Sequence, residues 1–155
     1  MTDKQIEYRA GYKYQLAKDY PISTEIVPDE AITTQFIELD TQGRLLVKSG
    51  YAWDGTSGPV KDSGRNLRAS LVHDALYQLL RQERLNMHPH KDQADRLFEK
   101  MCVEDGTDPK VAKGFYEVLS FVGHLAASPD ARKKTFFAPR QESESAFDPL
   151  ARFGD

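Results

Sequence analysis

The stretch YAWDGTSGPVKDSGRNLRASLVHDALYQLL, residues 51–80, carries the change of hydrophobic period that sets the fold class. Its first residues close a region rich in Tyr and Ile, whereas Leu67, Leu71, Leu76, Leu79 and Leu80 recur at the spacing of one helix face. A loop punctuated by Gly55 and Gly58 separates the two patterns. The helix that follows places His73 and Asp74 side by side at its centre, where packing calls for apolar side chains.

Upstream, YKYQLAKDYPISTEI (12–26) and TTQFIELDTQGRLLVKSGYAW (33–53) read as strands. Asp40-Thr41-Gln42-Gly43, set between two apolar runs, reads as a hairpin turn in which Gly43 supplies a positive φ. Downstream, Ala94, Leu97, Phe98 and Met101 mark a second helix that Asp105-Gly106 closes. Asp108 as N-cap and Pro109 at the first helical position open a third, with an apolar stripe of Val111, Phe115, Val118, Leu119 and Val122 and an end near Ser128-Pro129.

The expected fold is therefore α+β, a small N-terminal antiparallel β-sheet packed against three C-terminal α-helices. One domain is expected over residues 1–128, with the sheet at about 10–52, a loop at 53–64 and helices at about 65–82, 91–104 and 109–127. Residues 129–155 are expected to form a C-terminal tail, because Phe136, Phe137, Phe147 and Phe153 stand isolated among polar runs and cannot build a core of their own. No internal repeat is visible.

Length and composition bound the function. A chain of 155 residues has the size of one ordinary domain. With 21 Lys+Arg against 24 Asp+Glu, the bulk charge gives no reason to expect a nucleic-acid partner or an anionic membrane surface. Cys102 is the one cysteine, which excludes an internal disulfide framework, and no basic start followed by an apolar run resembles a signal peptide. Folding in a reducing cytoplasm is expected. No run approaches the roughly 20 apolar residues of a transmembrane helix.

On an α-helix Ser70, His73, Tyr77 and Leu80 share one stripe, and Asp74 lies about 100° round from His73. The leucine stripe beside them packs inward, so His73 sits at the edge of the core, where an imidazole needs a partner at one nitrogen to fix its tautomer. Asp74 is badly placed for that, because successive helical side chains diverge. Asp95, in KDQADRLFEKMC (91–102), is the better partner: it shares a face with Phe98 and Cys102, while Asp92, Arg96, Glu99 and Lys100 furnish the wet face. Antiparallel packing of the two helices across Gln82 to Pro89 would bring Asp95 to His73. A neutral imidazole held by a carboxylate can take a proton from water, which is general-base catalysis of ester hydrolysis. Asp74 would then be free to act as a hard oxygen ligand beside the carbonyls of WDGTSGP (53–59), and calcium is the metal this composition favours.

The spans GYAWDGTSGP, LVHDALY and QADRLF, following a sheet-like first half, resemble the family catalogued as domain of unknown function 1353, found in bacteriophages and bacteria, over roughly residues 10–125. That resemblance implies a phage origin, with synthesis in the host cytoplasm and a place in the virion as expectations. His-Asp-x-x-Tyr followed on the next helix by Ala-Asp-x-x-Phe is also similar to the phospholipase A(2) site, particularly its disulfide-free form in parvovirus capsid proteins. This second likeness implies His73 as base, Asp74 as calcium ligand, Tyr77 and Asp95 as supports of His73, and Trp53, Gly55 and Gly58 as the region of carbonyl ligands. It also implies a lipid or other ester as substrate. The loop departs from that family's pattern by an acid, Asp54, and a proline, Pro59.

A structural reading of the same residues stands beside the catalytic one. A His bonded to an Asp on a neighbouring helix, with Tyr77 closing the network, makes a polar clasp between helices. Trp53 reads as a core anchor, Asp54 as a turn cap, Cys102 as inert packing and His124 as a partner of the helix dipole. His88 and His90 lack the companions of a metal site. Ser57 and Ser70 lack the strand-to-helix setting of a nucleophile elbow. In this reading the chain is a virion or assembly component that uses the fold as a binding module, its aromatic tail docking on neighbouring phage subunits.

Overall fold

The computed structural model describes residues 12–56 and 60–132, together with the backbone of two outlying strands. It divides the chain into two units, one of residues 11–132 and one made of 1–10 with 133–155. In the smaller unit, β1 (Ile6–Tyr8) pairs antiparallel with β8 (Phe136–Ala138), so the expected tail contains a strand.

In the larger unit the strands are β2 (Tyr14–Gln15), β3 (Tyr20–Ser23), β4 (Ile32–Thr33), β5 (Ile37–Leu39), β6 (Arg44–Val47) and β7 (Ala52–Trp53). They are divided over a four-stranded antiparallel sheet of order β3-β6-β5-β4 and a separate β2-β7 pair. Alternation explains the sheet: Ile37 and Leu39 face inward opposite Val47 and Leu45, and all four are buried. The β5-β6 turn is the expected one. Gly43 has φ +80°, and the Asp40 carboxylate accepts hydrogen bonds from the backbone amides of Arg44, the larger influence, and Gln42, which holds its carboxyl below the usual range.

Three helices follow: α1 (Leu67–Arg81), α2 (Met87–Glu104) and α3 (Pro109–Ala127). Asp108 caps α3 through Lys110 N at 2.9 Å with Pro109 at the first position, and Gly106 leaves α2 at φ +98°. A short 3-10 turn, η1 (Pro129–Ala131), ends the described run of helices. α2 starts earlier than expected, at Met87, with an extended break at His88 (φ −104°, ψ 127°) before the regular helix. α1 is the central helix. Every residue from Ala69 to Leu80 except Asp74 and Gln78 is buried, because α2, α3 and the sheet side all share its core.

α3 corrects one expectation. Its inward face is made of Ala112, Leu119, Gly123 and Ala127, with Phe115 half-buried against the core, while Val111 and Val122 of the expected stripe are exposed. Phe121 and Leu125 are more exposed still, at 82% and 68%. Gly123 is buried where the Tyr77 hydroxyl of α1 fills the space in front of it.

Candidate active site

His73 and Asp95 come together. Nε2 of His73 lies 2.8 Å from Oδ1 of Asp95, and the hydroxyl of Tyr77 donates to the same oxygen at 2.6 Å. Helical spacing puts Tyr77 one turn beyond His73, and their ring centroids are 4.0 Å apart. Phe98, one turn beyond Asp95 on α2, closes the other side of the imidazole, edge-on at 5.4 Å. The second oxygen of Asp95 is held from its own helix: the ammonium of Lys91, four residues earlier, donates to Oδ2 at 2.8 Å and to the Leu119 carbonyl of α3 at 3.1 Å.

Asp95 is fully buried, and that alone pushes a carboxyl up. The hydrogen bonds from His73, Lys91 and Tyr77 outweigh the burial and hold Asp95 below the usual carboxylate range. An ionised Asp95 only accepts, so Nε2 of His73 carries a proton, and in a neutral imidazole Nδ1 would then hold the lone pair. Burial and the bond to Asp95 push the Tyr77 phenol well up, so it stays a donor.

Nδ1 of His73 makes no hydrogen bond to a described residue, yet no buried side-chain nitrogen or oxygen among the described residues lacks a partner. Nδ1 is therefore not sealed in. A small recess with room for about one water is lined by His73 together with Gly55, Thr56, Val60, Ser70, Asp74, Phe98 and Leu119. Its chemistry is mixed, an imidazole and a carboxylate beside an apolar wall of Val60, Phe98 and Leu119.

Asp74 lines the same cleft but belongs to a separate network. Tyr51, just before β7, donates to Oδ2 of Asp74 at 2.5 Å, and the Arg81 guanidinium lies 3.9 Å from Oδ1. Burial raises the Asp74 carboxyl above its ordinary value, against the opposing pull of Tyr51 and Arg81. Gly55 also borders the cleft, at φ +87°, where a Cβ would overlap the Asp62 carboxylate. Asp62 gathers Lys13 (2.7 Å), Tyr14 (2.9 Å) and the Thr56 amide (2.7 Å), and these donors hold it far below the usual range. Trp53 turns inward, 6% exposed, and its indole donates to Ser70 Oγ at 3.0 Å. Gly58 lies outside the described residues.

A calcium shell takes six to eight oxygen ligands. Asp74, the carboxylate expected to serve a cation, accepts from Tyr51 and has the Arg81 guanidinium beside it, and Gly58 of the expected carbonyl ligands lies outside the described residues. Cys102 is buried, its thiol pushed up to about 12 by desolvation, and lies outside the cleft lining. The contributors that sequence reasoning missed are Lys91, Tyr51 and Gly123. Only Lys91 left a signal, its i, i+4 spacing to Asp95.

A model described as protein of unknown function (DUF1353) matches residues 31–118, more than half of the chain, and the chain belongs to that family. The matched span runs from β4 to α3 and contains His73, Asp74, Tyr77, Lys91 and Asp95. No curated protein and no solved structure matches significantly.

Proposed function

We propose that this family member hydrolyses an ester bond, with His73 as general base and an acyl lipid as the substrate class. The observation that carries the reading is the setting of one imidazole: Nε2 is tied to the Asp95 carboxylate, and His73 lines a small recess. Nδ1 takes a proton from a water as the water oxygen bonds to the ester carbonyl carbon. The tetrahedral intermediate then expels the alkoxide, which takes that proton back, leaving acid and alcohol. Asp95 stabilises the imidazolium between these steps, and Tyr77 holds Asp95 in place. Val60, Phe98 and Leu119 give the recess an apolar side against which an acyl group can rest at its mouth. No step runs through a cation.

The test is hydrolysis of a short-chain phosphatidylcholine and of p-nitrophenyl acetate by the purified protein and by His73→Gln. The expected result is loss of at least about 100-fold in kcat for the variant, the lower range for removing a general base, with an unchanged fold by circular dichroism. Equal rates for the two proteins overturn the proposal.

A second reading, a non-catalytic bacteriophage virion or assembly component, draws on the outward apolar residues of α3, Phe121 and Leu125 above all. Under it the His73-Asp95 contact is a clasp, and His73→Gln lowers Tm with no activity to lose. Deleting residues 130–155 would then abolish assembly while the rest stays folded.

A further inference from the structure

We propose that Lys91 is the positioning residue of this site: held between Oδ2 of Asp95 and the Leu119 carbonyl, it turns the carboxylate so that Oδ1 serves His73 and Tyr77. The inference rests on the hydrolase reading for its kinetic consequence but not for its geometry. A carboxylate has two oxygens and rotates about one bond, so fixing one oxygen fixes the other. Lys91 fixes Oδ2 at 2.8 Å, and the two donors of α1 meet Oδ1 at 2.8 and 2.6 Å.

The cation is itself oriented. Its side chain is 15% exposed, so little water competes for it, and the Leu119 carbonyl takes a second of its three donors at 3.1 Å. That carbonyl belongs to α3, which Lys91 thereby links to α2 and, through Asp95, to α1. Leu119 also lines the cleft, so the residue that fixes Lys91 forms part of the wall that His73 faces. A lysine without the second contact would be a mobile point charge. Here it is a fixed one, and it holds Oδ1 of Asp95 where Nε2 of His73 and the Tyr77 hydroxyl meet it.

The experiment records the ¹⁵N and ¹H spectrum of the His73 ring, with kcat and KM on the short-chain phosphatidylcholine, for the full-length protein, Lys91→Met and Lys91→Arg. Lys91→Met is expected to change the Nε2–H signature and lower kcat by about 10–100-fold, the usual cost of losing an outer support, with KM within about two-fold. Lys91→Arg should restore both. A folded Lys91→Met protein with the parent His73 spectrum overturns the proposal. If Lys91→Met does not fold, Lys91→Arg decides: a retained ring signature supports the role, and its loss in a folded protein removes it. Absence of hydrolysis by the unaltered protein would sink the hydrolase reading, while the spectrum still decides the place of Lys91.

Discussion

Tyr77 and Gly123 meet across the α1-α3 contact: a Cβ on Gly123 would stand under 3.0 Å from the Tyr77 hydroxyl oxygen and 3.4 Å from Nζ of Lys91. Glycine in a helix interior costs about 0.5–1 kcal/mol relative to alanine. Its presence here leaves room for the phenol that bonds Asp95.

Gly114 and Gly123 of α3 should therefore respond oppositely to alanine. Nothing lies within 4 Å of a Cβ at Gly114, so Gly114→Ala should stabilise by about 0.5–1 kcal/mol. Gly123→Ala should destabilise by about 1–3 kcal/mol, the cost of overpacking. Adding Tyr77→Phe, which removes the obstructing oxygen, should recover part of that loss in a double-mutant cycle. Urea midpoints at constant m-value are the measurement. Additive effects would show that the two residues do not meet.

Asp95→Asn keeps the shape of the side chain but leaves the Lys91 ammonium without its carboxylate. Breaking a buried ion pair from one side costs about 3–5 kcal/mol. Urea denaturation near pH 7 should read a loss of that size, together with loss of ester hydrolysis because the amide no longer selects one imidazole tautomer. A loss under about 1 kcal/mol would place Asp95 in the class of weak exposed pairs.

Two carboxyls of the site have opposite pH signatures. Asp95 is held below the unfolded value of about 3.9, so its contribution to stability is present above that pH and disappears as pH falls through its lower folded value. Asp74 is raised, so its ionisation opposes folding: the cost begins as pH rises through the unfolded value and is complete above the folded one. Asp74→Asn should accordingly raise stability at pH 7 relative to pH 3, measured as the difference in urea midpoints. The carboxamide oxygen can still accept from Tyr51. A variant that loses stability at pH 7 would contradict the assignment.

Gly43→Ala tests the hairpin. The residue sits at φ +80°, and a Cβ there would overlap the Thr24 carbonyl oxygen. A cost of about 1–3 kcal/mol for the backbone conformation alone is expected, seen as a lower Tm. Gly64→Ala, with open space around it and no positive φ, is the matched control and should be near neutral.

Much of the fold was legible because local rules wrote it. The change of period within residues 51–80 separated strands from helices, and Asp40 to Gly43 and Asp108-Pro109 announced a turn and a cap through residues that fit few other conformations. The meeting of His73 with Asp95 was legible for a different reason. An acid on a face otherwise made of Ala94, Phe98 and Cys102 has to find a partner on folding.

The tertiary structure decided the rest. Periodicity reported that α3 has apolar positions but not which of them would be covered, and Gly123 turned inward where the Tyr77 hydroxyl leaves no room for a side chain. Tyr51 reaching Asp74, and the Leu119 carbonyl reaching Lys91, join residues 23 and 28 positions apart. Local sequence fixes dihedral preference and facial pattern. Which distant groups satisfy a buried charge depends on how the finished elements cross, and no single segment contains that information.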